Sequence, residues 1–295
     1  QRIMFISYFA GVKGNCPAEW ADDKLKVLEY KNQKTIVITG LQSEVKNSKN
    51  IIFYKIPSLS FSNFKWELKI YRENENNHFP FSLKIFYLFS LIFGSLYDFI
   101  MIRLVNSLTG SYWSWFLIAF PVAVYLKLKN NINTIFTTGG PTSAHLLGVS
   151  LAFFFNVRCI CEHQDPLVGE CITNPRSRKI AKFLEKFFNN YASKIIYVTK
   201  NAAESAKKRS QNNEHKIKFI YPGSWKFKNY KKQTPKNKIE FLHLGTLYGN
   251  RNLDLFFKAL DKLKENLPNK INSKSLKIIN SGEIYLSNKN DYLKR

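Results

Sequence analysis

Between residues 2 and 223 short apolar runs alternate with stretches of helical period. The runs cover 2–9, 34–40, 50–56, 133–140, 156–163, 194–199 and 216–223, are rich in β-branched and aromatic residues, and mostly close on Gly, Thr, His or Pro. Between them AEWADDKLKVLEY (18–30), TSAHLLGVSLAFFF (142–155), SRKIAKFLEKFFNNYA (177–192) and NAAESAKKR (201–209) carry the helical pattern. In the last of these, Asn201 is placed to cap and Glu204 to close a capping box. A strand followed by a helix must cross over before the next strand, so the strands pair in parallel with right-handed connections. Residues 1–222 are therefore expected to form one doubly wound α/β domain.

The rhythm breaks at YPGSWKFKNYKKQTPKNK (221–238), where proline, glycine and a run of lysines replace the apolar period. Residues 223–238 are expected to be a linker. The pattern restarts with IEFLHLG (239–245), a helix reaching Leu267, and SLKIINSG (275–282). That β-α-β order is the start of a second Rossmann-like domain over 239–295. Such a domain needs further strands to bury its sheet, so the expectation is a second domain cut short at its C-terminal side.

Lys and Arg number 45 against 21 Asp and Glu, a net charge of +24. That surplus favours anionic partners. The lysines are spread along the chain, so no nucleic-acid partner is expected and an acidic membrane surface is. The most apolar region is 79–126. Within it, 85–97 is flanked by Lys84 and Asp98, and 111–126 contains Pro121. Both fall short of the roughly 20 residues needed to span a bilayer. A buried or interfacial helix is expected instead, with the aromatic 111–126 segment resting on the membrane surface and Lys127 and Lys129 behind it. Cys16, Cys159, Cys161 and Cys171 show neither zinc-knuckle nor redox-pair spacing, which suits a reducing compartment. A cytoplasmic chain, peripheral on the inner face of the cytoplasmic membrane, is expected, with no metal and no cofactor.

In open parallel sheets ligands bind at the carboxyl ends of the strands, where helix N-termini point. Four such ends carry unusual residues. FAGVKGN (9–15) offers Gly11, Lys13 and Gly14, as a tight turn or a binding loop. TTGGPTSAH (137–145) offers Gly140, Thr142 and His145, either around an anion or sugar hydroxyl, or as an ordinary turn with His145 packed on the helix. EHQDP (162–166) places His163 as proton carrier or sugar ligand, with Asp165 to orient it or to cap a turn. FLHLGTLYGNR (241–251) offers Gly245, Thr246, Gly249 and Arg251 before a helix whose expected buried side is Leu253, Phe256, Phe257, Leu260 and Leu263. An arginine beside a helix N-terminus is a suitable diphosphate cradle.

Taken in order, GGPTSAHLLG, EHQDPLVG, KIIYVTKNAAESAKK, IYPG and FLHLGTLYGNRNLDLFFKALDKL make the chain similar to glycosyltransferases of the family 4 type. The resemblance covers nearly the whole chain and implies the GT-B fold of two Rossmann-like domains. It also implies retaining transfer from a nucleotide-sugar donor without a required metal. The donor diphosphate would bind the second domain at Gly245, Thr246 and Arg251, with Gly14 nearby. The acceptor would meet Gly140, Thr142 and His145, and His163 and Asp165 would serve the reacting sugar. Thr246 and Asn252 stand where many relatives carry basic residues, and the paired glutamates of the family's second domain have no counterpart here. A lipid-linked or polysaccharide acceptor of the cell envelope is expected, with impaired activity. The alternative is a non-catalytic, membrane-associated or partner-binding remnant of such an enzyme.

Overall fold

Met4, Phe5 and Ile6 of β1 (Arg2–Ile6) are all buried, which is what a strand covered by helices on both faces requires. The computed structural model describes residues 2–75, 79–105, 113–169, 174–210, 212–223, 239–248, 252–266 and 276–285. The chain divides into two compact units, Gln1–Ser224 and Trp225–Arg295. Apart from Gly223, the expected linker lies outside the described residues.

In the first unit β1 is followed by α1 (Cys16–Tyr30), β2 (Thr35–Gly40), β3 (Ile51–Ile56) and α2 (Phe61–Asn74). Then come α3 (Phe81–Phe89), a π-helical turn (Ser90–Gly94), α4 (Ser95–Val105) and α5 (Trp113–Lys129). The second half runs β4 (Ile132–Gly139), α6 (Thr142–Phe155), β5 (Arg158–His163), α7 (Pro175–Tyr191), β6 (Lys194–Tyr197), α8 (Lys200–Arg209) and β7 (Ile217–Phe219). The seven expected runs are seven parallel strands of one sheet, in the order β3-β2-β1-β4-β5-β6-β7. One face packs Phe5, Val37 and Ile51 against Ala21 and Leu25 of α1. The other packs Met4, Ile6 and Ile135 against α5 and α6. The fold is α/β and doubly wound.

Three local expectations change. The cap of α8 is Thr199, whose Oγ1 accepts from Ala202 N at 3.3 Å, because β6 ends at Tyr197 and leaves Thr199 extended two residues before Asn201. One side of α5, the segment expected on the membrane surface, is core: Trp115, Ala119, Ala123 and Leu126 are buried, and Trp115 Nε1 donates to the Ile56 carbonyl at 3.0 Å. The apolar stretch bracketed by Lys84 and Asp98 does not stop at either residue. Helix continues through both, and Phe81–Met101 is 21 residues, long and apolar enough to cross a membrane.

In the second unit β8 (Ile239–Leu244) pairs in parallel with β10 (Leu276–Ser281). β9 (Leu247–Tyr248) pairs with β11 (Ile284–Tyr285), and α9 spans Asp254–Asn266. Phe256 meets Phe241 edge-on at 5.0 Å and Phe257 is buried, whereas Leu263 is exposed.

Candidate functional site

The strand order reverses between β1 and β4, since the chain builds outward from β1 to β3 and then returns to the other side. Ligands of open α/β sheets bind at such a switch point, outside the carboxyl ends of the strands. The residues gathered there come from the ends of β1, β4 and β5 and from α6.

Gly148 brings α6 close to β4: a Cβ at this position would stand 2.2 Å from Thr137 Cγ2. Close approach seats His145, one turn earlier, on the strand end. Its Nδ1 lies 2.7 Å from Thr137 Oγ1 and its Nε2 lies 3.3 Å from the Gly139 carbonyl. The β4–β5 register sets Gly139 opposite His163, so the two imidazoles meet with centroids 4.2 Å apart. His163 also stacks on Tyr197 at 5.3 Å and on Phe188 at 5.8 Å. Burial, and then His145, hold its pKa well below the usual histidine range. It is a neutral ring at pH 7.

Beside it, Thr138 Oγ1 donates to Glu162 Oε2 at 2.5 Å, and Lys24 Nζ lies 3.0 Å from the same oxygen. Gln164 Nε2 donates to the Pro17 carbonyl at 3.3 Å, so α1 is tied to the end of β5 from both its first and third turns. Ser7, just after β1, and Ser143, in the first turn of α6, have fully buried hydroxyls with no hydrogen-bond partner among the described residues. Among the described residues no side chain caps α6, which follows Pro141. Uncapped N–H groups and orphaned hydroxyls at one sheet edge are donors suited to phosphate or sugar oxygens.

Two buried carboxylates brace this edge. Glu67 of α2 accepts from Ser58 N at 2.9 Å, from Ser58 Oγ and from the hydroxyl of Tyr8, which follows β1. Burial outweighs those donors and pushes its pKa up to about 7. Glu185 of α7 accepts from Arg209 Nε at 2.8 Å and Nη2 at 2.6 Å, and is hydrogen-bonded to Tyr197 as well.

Of the residues singled out from sequence, His145 and His163 converge. Gly140 and Thr142 flank Pro141 at the α6 entrance, and a Cβ on Gly140 would meet nothing within 4 Å. Asp165 is exposed, two residues past the end of β5. Gly14 (φ +71) sits in the open, while Gly11 donates its N–H to Asp22 Oδ1 at 2.9 Å. Lys13 is paired with Glu44 at 2.5 Å. Gly11, Lys13, Asp22, Lys26, Glu44 and Lys46 line part of a cleft of about 420 Å³ between α1 and the segment after β2. In the second unit Gly245 (φ +136) follows β8 and donates to the Ser281 carbonyl at 3.0 Å, and Thr246 is exposed. Asn252 Oδ1 accepts from Asp254 N at 3.1 Å at the start of α9. Gly249, Arg251 and Cys171 lie outside the described residues. Among the described residues no three His, Cys, Asp or Glu are grouped to hold a metal. The Glu162 and Glu67 networks and the two orphaned serines were not singled out from sequence. Only Glu162 had a signal there, as the acidic neighbour of His163.

This sheet and its switch point define an α/β fold of the kind found in GT-B glycosyltransferases. No protein family and no curated protein matches the sequence. Among solved structures, sucrose-phosphate synthase from Thermosynechococcus elongatus is similar with a TM-score of 0.52 and 10% identity over 95% of this chain and 70% of its own. A TarM variant from S. aureus in complex with fondaparinux, alpha-GlcNAc-glycerol and UDP is similar with a TM-score of 0.52 and 10% identity, over 99% and 74%. Arabidopsis thaliana UGT89C1 complexed with UDP-L-rhamnose gives 0.50 and 10%, over 95% and 69%. At such identity the likeness is one of fold.

Proposed function

We propose that the chain belongs to a glycosyltransferase that moves a sugar from a nucleotide-sugar donor to a lipid-linked or glycan acceptor, with retention and without a required metal. The observation that carries this proposal is the switch point: an uncapped α6 N-terminus, the unpaired hydroxyls of Ser7 and Ser143, and a neutral His163 at the edge where such sheets take ligands. It is supported by the likeness to folds solved with UDP and with UDP-L-rhamnose.

In this proposal Gly245, Thr246 and Arg251 receive the donor diphosphate, with Gly14 as a further phosphate neighbour. Gly140, Thr142 and His145 serve the acceptor, and His163 and Asp165 serve the reacting sugar. The bond from the anomeric carbon to the diphosphate oxygen breaks while the acceptor oxygen bonds to that carbon from the same face. The acceptor's proton leaves with the nucleoside diphosphate. A neutral His163 contributes a hydrogen bond rather than a charge, and fixed donors stabilise the departing phosphate. The protein would act in the cytoplasm, at the inner face of the membrane.

A second, non-catalytic reading is favoured by the donor-side unit. Among its described residues Leu247 and Phe257 are the buried apolar side chains, while Phe241, Leu242 and Leu244 of β8 are exposed. So thin a core supports impaired turnover unless further protein covers β8.

The test is a thermal-shift panel of nucleotide sugars, followed by transfer of radiolabelled sugar to membrane lipid extracts with and without EDTA. A rise in melting temperature for one nucleotide sugar but not its free sugar, with EDTA-insensitive transfer, is expected. Nucleotide-sugar binding without transfer would favour the non-catalytic reading, and no binding would sink the transferase reading.

A further inference from the structure

The helix from Phe81 to Val105, formed by α3, the π turn and α4, wears its apolar side outward. Phe81, Ile85, Leu88, Ile92 and Leu96 recur every three or four residues and so share one face. Each is more than half exposed. The opposite face is occupied. Leu83, Phe86 and Tyr87 pack on Phe64 and Leu68 of α2. Ser90 Oγ donates to the Leu59 carbonyl at 2.9 Å. Gly94 follows one turn later, where a Cβ would stand 2.2 Å from that same carbonyl oxygen. Asp98 Oδ2 accepts from Ser62 N at 3.0 Å. The helix is thus fastened to the start of α2 along its length, by polar atoms that have no place in hydrocarbon.

That fastening decides between two ways of meeting a membrane. By length the helix could span one, but spanning would drag the Leu59 carbonyl, the Ser62 amide and the Asp98 carboxylate into the acyl core. A helix lying flat buries only the outer face. Charge decides between a bilayer and a second copy of the chain. Lys65, Lys69 and Arg72 are exposed on α2 and Lys84 on α3, within a chain of net charge +24. Two such surfaces repel each other, whereas an anionic headgroup layer attracts both.

We propose that Phe81–Val105 lies in the plane of an anionic bilayer surface, with its Phe81–Leu96 face at the headgroup–acyl boundary, and does not cross it. This sharpens the peripheral placement proposed above, and it stands or falls separately from sugar transfer because its readout is lipid binding.

Co-sedimentation with phosphatidylglycerol-containing vesicles and with pure phosphatidylcholine vesicles tests it. Binding to the anionic vesicles should be about tenfold tighter or more, and should weaken with salt. The paired change Leu88→Glu and Ile92→Glu should weaken binding by about tenfold or more with an unchanged circular-dichroism melt. Equal binding by that variant, or equal binding to both vesicles, would overturn the proposal. Orientation is read at exposed positions outside that five-residue face: in a background with Cys16→Ser and Cys171→Ser, fluorophores on Ser82→Cys and on Phe99→Cys should both be reached by an impermeant quencher added outside the vesicles. Protection of either end would show a span and overturn it. So would a stable dimer by light scattering, with no vesicle binding, that the paired change abolishes.

Discussion

The imidazoles of His145 and His163 stand 4.2 Å apart, and the first is hydrogen-bonded to Thr137 of the strand beneath it. His145 is tied to Thr137 and Gly139, while His163 is walled by Phe188 and Tyr197. Two imidazolium ions at that spacing in a dry pocket would repel strongly, and burial alone already disfavours one. His163 therefore stays neutral and behaves as a fixed dipole.

Between pH 8 and 5.5 the His163 ring should take up less proton in the folded protein than in the unfolded chain, as read by NMR. The unfolded chain does take up the proton, near an ordinary pKa of about 6.5. Below that pH the unfolded state binds more protons than the folded one, so this residue makes stability fall as pH falls. His163→Phe should remove that fall, measured as the urea midpoint across the same range.

Glu67 has the opposite sign. Its folded pKa, about 7, lies above its ordinary 4.5. Its contribution is complete below about pH 4.5 and is lost as pH rises through 7, by on the order of 3 kcal/mol at most. Asp22, raised to about 6 by burial, acts in the same direction. The His163 and Glu67 effects oppose each other in the native sequence, so the single variants should separate them. Relative to the native protein, Glu67→Gln should gain less stability, or lose more, on acidification from pH 7 to 5, and His163→Phe should gain more.

Much of this arrangement was legible from the residues alone, and what was missed has a common cause. The seven strands announce themselves because each is short, apolar and punctuated, and their alternation with helices admits few topologies. His163 was visible as a histidine at a strand end. Its neutrality was not, since that depends on Phe188 and Tyr197 arriving from α7 and β6. The stretch FSNFKWELKIYREN gave no sign of α2 because its buried positions include a glutamate, and Glu67 is tolerable there only through Ser58 and Tyr8. Asp98 looked like a boundary because a lone carboxylate ends an apolar run. In the folded chain it turns inward to Ser62, and the helix continues.

Removing the partner of a buried charge costs more than the pair itself contributes. Arg209→Ala leaves the Glu185 carboxylate facing Tyr197 in a buried site and should destabilise the first unit by about 2–4 kcal/mol, read by chemical denaturation. Changing Glu185→Leu together with Arg209→Met should recover at least half of that loss. No recovery would mean that the pair is not the source of the cost.

Gly148→Ala should force α6 away from Thr137 and cost about 1–3 kcal/mol. If the seating of His145 depends on that approach, the His145 ring resonances should also shift. Unchanged shifts with lowered stability would show that the strain is absorbed elsewhere.

α2 has two attachments that were described separately. Its start, from Leu59 to Ser62, holds the apolar helix, and two turns later Glu67 holds Tyr8 and Ser58 at the sheet edge. At 1.5 Å per residue, Ser60 and Glu67 are separated by roughly 10 Å along the axis. On the docking proposed above, this short rigid strut works as a depth gauge. It sets how far above the lipid the carboxyl edge is held, and so how long the stem of an acceptor must be to reach it.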